Sequence, residues 1–194
     1  MLWNSYPPLE YEGVRYGTKW HSFQQYTSLP SVVRAQLELA AGSLRWAWSP
    51  PDVPENELRR LGWRLRDPRG VTRDSVIYRR YIVGSDAEFS LAKEGYVVSR
   101  SGWFSERSAA YLATGKPVVA QDTGFSTWLP SGLGLVAFGN LDEARAGIES
   151  VSALYDVHRR AARDIAAEYF DARRVLTSLL DRAMRSSNAG SGCS

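Results

Sequence analysis

"SRSGWFSERSAAYLATGKPVVAQDTGF", residues 99–125, passes from a glycine turn through a helix and an apolar strand into a second glycine turn. Ser105 is placed to cap a helix over 105–114. Pro117 opens a strand over 117–121, where its missing amide donor does little harm. "PVVA" is apolar on both faces, the pattern of a parallel strand covered by helices on each side. Asp122-Thr123-Gly124-Phe125 then leads the chain out of the sheet. With "YVVSR" (96–100) expected as the preceding strand, both turns leave the same edge, because the helix between them carries the chain back.

Working outward, the alternation of strands and helices continues. "AEFSLA" (87–92) and "GLVAF" (134–138) are expected strands, and "RDSVIYRRYIVGS" (73–85) an expected helix. Asn140 with Glu143 three residues on marks a helix start, and Ala144, Ile148, Val151 and Tyr155 fall on one face. "HRRAARDIAAEYF" and "DARRVLTSLLDRAM" predict two more helices, the second capped by Asp171. Further upstream, "LPSVVRAQLELAAG" (29–42) predicts a helix, "RWAW" (45–48) a short strand, "ENELRRLG" a short helix and "WRLRD" (63–67) a strand. Asp67-Pro68-Arg69-Gly70 reads as a turn. The whole is an α/β pattern, a parallel sheet flanked by helices. Residues 1–30 carry Trp3, Tyr6, Tyr11, Tyr16, Trp20, Phe23 and Tyr26 without helical or strand period. They are expected to lie extended against an apolar surface, of this chain or of another domain. "SSNAGSGCS" (186–194) is expected to be a disordered tail.

Composition narrows the function classes. Of 194 residues, 44% are hydrophobic and 23% charged, which is ordinary for a packed domain and leaves room for one core rather than two. No apolar run approaches the roughly 20 residues of a membrane span, and the N-terminus lacks the pattern of a secretory signal. The single cysteine, Cys193, cannot form a disulfide within the chain, so a cytoplasmic location is the expectation. The net charge of +3 comes with acidic residues interleaved among the arginines, which argues against a nucleic-acid-binding face. The P-loop, dinucleotide GxGxxG, GxSxG and HExxH motifs are absent, and no metal site is predicted.

The two turns are the place where a ligand would fit. Backbone amides of a helix's first turn attract negative charge. Arg100 precedes the first turn and Arg107 lies inside the helix start, so either guanidinium could grip a phosphate, with Glu106 opposing them. Trp103 and Phe104 read either as core aromatics or as stacking surfaces, and Asp122 either as a cap or as a ligand contact. His21 and His158 have no evident companions; His158, inside an arginine-rich helix, is expected at the surface.

The run "EFSLAKEGYVVSRSGWFSERSAAYLATGKPVVAQDTGF", continued by "LPSGLGLVAFGNLDEARAGIESV" and "HRRAARDIAAEYFDARRVLTSLL", resembles the C-terminal, nucleotide-sugar-binding half of a two-domain GT-B glycosyltransferase. The resemblance spans about residues 84–180 and reaches more loosely back to about residue 10. It implies a Rossmann-like donor-binding domain over 31–185, a single half of a GT-B fold. Residues 1–30 are then an aromatic-rich linker or remnant of a preceding domain. It also implies a nucleoside diphosphate sugar as substrate with no separate cofactor, an acceptor of unknown kind, and an N-terminal domain before residue 1. Carried over, the turn Ser101, Gly102, Trp103, Phe104 and Ser105 with the amides of Glu106 and Arg107 approaches the diphosphate. Arg100 is its cationic partner, and Asp122, Thr123, Gly124 and Phe125 line the sugar side. Retaining members of the family carry two glutamates eight positions apart; here Gly102 and Ala110 stand in those places, so no catalytic residue is assigned. The alternative reading is a truncated, inactive glycosyltransferase-like module that serves interaction rather than transfer.

Overall fold

The computed structural model describes residues 8–40 and 54–189. The expected strand at 45–48, together with Trp3, Tyr6 and Cys193, lies outside them. Leu9–Tyr11 (β1) and Val14–Tyr16 (β2) form an antiparallel hairpin. Glu12 and Gly13 between them both have positive φ (50° and 73°), as the tightest two-residue hairpin turn requires. Short helices Lys19–Gln24 (α1) and Leu29–Val32 (α2) follow.

The helix expected over 29–42 does not form beyond its first turn. Pro30 suits that turn, but Val33 is already extended (φ −118°, ψ 153°), and Glu38–Ala40 becomes a strand (β3). After Glu55–Arg60 (α3), β3 is paired in parallel by Arg64–Arg66 (β4), with Leu39 opposite Leu65. Tertiary pairing has overridden local propensity. The expected turn at 67–70 is instead the start of a four-residue helix, Pro68–Val71 (α4), capped by Asp67. Ser75–Gly84 (α5) is capped by Asp74, whose carboxylate accepts from the Ile77 amide at 2.8 Å.

The strand expected at "YVVSR" does not form. Glu88–Ser90 (β5) is followed by a helix, Glu94–Val98 (α6), then by Glu106–Ala113 (α7) and the buried strand Val118–Gln121 (β6). Two valines invite an extended reading of 96–100. The amides of Glu94 and Gly95, however, donate to the carbonyls of Thr18 and Gly17, fixing the segment as a helix under the hairpin's exit. Leu135–Phe138 (β7) completes a parallel sheet of order β5-β6-β7, with Val118 opposite both Glu88 and Leu135. The last helices are Leu141–Ala153 (α8), Tyr155–Tyr169 (α9) and Ala172–Ala189 (α10), so residues 186–189 of the expected tail are helical. The fold is thus mixed α/β, with three small sheets among the described residues: β1-β2, β3-β4 and β5-β6-β7. Among the described residues no helix is long and apolar enough to cross a membrane.

Both faces of β5-β6-β7 are covered. On one side Val119 and Phe138 join Ile148 and Val151 of α8, and here the N-terminal aromatics are used. Phe23 and Tyr26 are fully buried, and Tyr26 meets the ring of Phe138 edge-on at 5.3 Å. Trp63 donates its indole N–H to the Thr27 carbonyl at 2.7 Å. Trp20, Phe23 and Tyr26 thus cover a surface of this chain, while Tyr11 is exposed, and the segment forms a hairpin and short helices rather than the extended run expected. On the other side Leu112 of α7 and Ala162 and Ile165 of α9 pack on Val118 and Leu135.

His158 is not at the surface. It is 0% exposed, its Nδ1 accepting from the Gly134 amide at 3.1 Å and its Nε2 lying 3.1 Å from Ser150 Oγ. Since Nδ1 accepts, the proton sits on Nε2 and the ring is neutral. Burial lowers its pKa below 6.5, so the folded chain binds fewer protons there than the unfolded one. This contribution to stability is complete above about pH 6.5 and declines as pH falls below it. Urea melts of wild type and His158→Gln between pH 5 and 8 should therefore diverge toward neutrality and converge in acid; parallel curves would contradict this.

Candidate functional site

The two glycine turns meet. They follow adjacent parallel strands, β5 (by way of α6) and β6, and lie together beyond the strands' C-terminal ends. Gly102 N–H donates to the Thr123 carbonyl at 2.8 Å, and Thr123 Oγ1 donates to the Trp103 carbonyl at 2.5 Å. Trp128 adds its indole N–H to the Gly102 carbonyl at 3.2 Å. Gly124, at φ 96°, brings its backbone so near that an added Cβ would stand 3.0 Å from the Arg100 carbonyl oxygen. Convergence therefore holds although the strand expected before the first turn is a helix.

Arg100 stands apart from its neighbours. α6 closes with two bonds, Ser101 N–H to the Tyr96 carbonyl (3.2 Å) and Arg100 N–H to the Val97 carbonyl (3.1 Å). That closure places one residue in the left-handed region and normally uses glycine. α7 ends on the same pair of bonds with Gly115 at φ 71°, whereas α6 ends with Arg100 at φ 47°. A side chain there costs about 1 kcal/mol relative to glycine. The Arg100 side chain is 64% exposed, and its guanidinium lies 4.0 Å from the Asp122 carboxylate.

The other residues divide clearly. Ser101 and Glu106 are exposed, and Ser101 Oγ accepts from the Trp103 amide at 3.3 Å. Trp103 is half-buried against Tyr96, with centroids 5.2 Å apart. Phe104 stacks on Phe170 at 5.5 Å and meets Phe125 edge-on, so both rings pack in the core. Ser105 caps α7 as expected, accepting from the Arg107 amide at 3.3 Å. Asp122 shapes its own loop: Oδ1 accepts from the Gly124 amide (2.9 Å) and Oδ2 from the Ser126 hydroxyl (2.8 Å). Arg107 turns inward. Its Nε donates to Glu88 Oε1 and its Nη2 to Ser90 Oγ at 3.3 Å, with the ion-paired side chains only 17% and 4% exposed. Comparisons with protein-family models, curated proteins and solved structures find no match.

Two charged residues near this edge escaped the sequence reading. Nothing local to its strand marks Glu88 as the partner of an arginine nineteen positions on. Lys19, at the start of α1, lies within the fields of Arg107, Glu88, Glu106 and Lys93. Burial first, and then Arg107's like charge, push its ammonium down from 10.5 to about 8. Lys19 is thus poised to lose its proton just above neutrality, within the field of the buried Arg107–Glu88 pair. His21, near Lys19, serves the backbone instead, its Nδ1 accepting from the Thr18 amide at 3.0 Å.

Proposed function

We propose that this chain binds the diphosphate of a nucleoside diphosphate sugar beyond the ends of β5 and β6, as the donor half of a glycosyltransferase. The observation that carries the reading is Arg100, a long cationic side chain kept exposed at a helix end where the backbone favours glycine. Strain held at one position is a pointer to function. The α7 N-terminus, which opens from the same turn, adds positive potential. On this reading β3-β4 and β5-β6-β7 are parts of one Rossmann-like arrangement, and a companion domain supplies the acceptor contacts. The departing diphosphate is where negative charge develops during transfer, so cations placed there lower the barrier.

Calorimetry with UDP, dTDP and uridine tests this, using the parent and Arg100→Gly. The variant should melt slightly higher, by about 1 kcal/mol of stability, because its backbone is relieved. It should bind UDP about tenfold more weakly, with uridine binding unchanged. Absence of heat with millimolar UDP and dTDP in a folded sample would remove the proposal. So would equal losses for UDP and uridine. In that event the alternative of an inactive interaction module remains.

A further inference from the structure

We infer that α10 lies in the interface of an anionic lipid membrane, holding the domain at the surface without crossing the bilayer. From Ala172 to Arg185 every residue of this helix is exposed. Val175, Leu176, Leu179, Leu180 and Met184 are 49–68% exposed, more such large apolar side chains than any other described element presents. At about 3.6 residues per turn they share one face with Ala172 and Ala183, roughly half the circumference. A lone helix of 18 residues is marginal in water, and helices of this pattern are ordinarily held by whatever covers the apolar face. A contiguous face of this kind marks an interaction surface.

Charge identifies the cover. The helix carries Arg173, Arg174, Arg182 and Arg185 against Asp181 alone. By helical position Arg173 and Arg182 stand at the two borders of the apolar face, and Arg174 and Arg185 fall opposite it. When such a face sinks into acyl chains, bordering arginines reach back to the headgroups, and a negative surface attracts all four. A second copy of α10 is a poor match. Whichever way two copies run, arginine-edged borders meet arginine-edged borders, where paired helices gain from opposite charges. The chain as a whole adds to the repulsion, with a net charge of +3. The same charges keep the helix from spanning the bilayer, so it lies along the surface.

The test is co-sedimentation of the 194-residue chain with vesicles, of phosphatidylcholine alone and of phosphatidylcholine with about one-third phosphatidylserine. The chain should partition at least tenfold more strongly onto the anionic vesicles, and about 1 M salt should remove most of that excess. Leu179→Gln with Leu180→Gln should weaken binding to the anionic vesicles about tenfold. Arg173→Gln with Arg182→Gln should remove most of the preference for them. Both double variants should keep the parent's urea midpoint, because the altered side chains stand in solvent. A midpoint lowered by the leucine variant would overturn the inference, since those leucines would then be packed in the free chain. Binding to neither vesicle, or equally to both, would overturn it too. So would a dimer in sedimentation equilibrium that the leucine variant separates into monomers, because a second copy then takes the face. None of the residues at the two glycine turns lies on α10, so vesicle binding and UDP binding can fail separately.

Discussion

Gly134→Ala should be among the most damaging single-methyl changes in this chain, lowering stability by about 3 kcal/mol or more. Gly134 sits at φ 75°, and a Cβ there would lie 2.4 Å from the Ala162 nitrogen and 2.6 Å from the Ala161 carbonyl carbon. Those are backbone atoms of α9, so no side-chain rotation relieves the clash. α9 must lift from the start of β7, taking Ala162, Ile165 and His158 out of their packing. Gly13 provides the control, with nearly the same φ (73°) and nothing within 4 Å of an added Cβ. Gly13→Ala should show only the left-handed strain, about 1–2 kcal/mol. Urea denaturation of both variants gives the comparison. Equal losses at the two sites would mean that α9 does not approach β7 as closely as described.

The second large effect is expected at Arg107. Removing one partner of a buried ion pair leaves an uncompensated charge and typically costs about 3–5 kcal/mol. Arg107→Ala would strand Glu88, whose Oε1 accepts from Arg107 and whose Oε2 is buried with no hydrogen-bond partner among the described residues. Replacing both partners removes the stranded charge together with the pair. Arg107→Met combined with Glu88→Leu should therefore recover most of the lost stability. A double-mutant cycle by urea melting decides the matter. Additive losses would show that the two side chains do not depend on one another.

Those two predictions rest on features of different legibility. Caps act within three residues, so Ser105, Asn140 and Asp171 could be read directly. Asn140 Oδ1 accepts from the Glu143 amide at 2.9 Å, and Asp171 Oδ1 from the Arg173 amide at 2.9 Å. Strand β6 announced itself because all four of its residues are buried and apolar or nearly so. β3 and α6 did not. Each is short enough that its conformation is chosen by a distant partner, β4 for one and the Gly17-Thr18 backbone for the other. In the candidate site, sequence brought the two turns together and set both Arg100 and Arg107 beside them. It could not separate Arg100 from Arg107, because only the fold shows one in solvent and the other against Glu88. His158 was hidden for a similar reason: the arginines beside it face water, while its own position on α9 looks onto Gly134.

The threonine that ties the two turns together has an entropic consequence. Thr123 gives its carbonyl to one residue of the neighbouring loop and its hydroxyl to the next, and is itself 1% exposed. Loops that would otherwise sample conformations independently are thereby held as one rigid rim. Whatever docks on that rim finds it already ordered, so the freedom given up on association falls mainly on the incoming molecule.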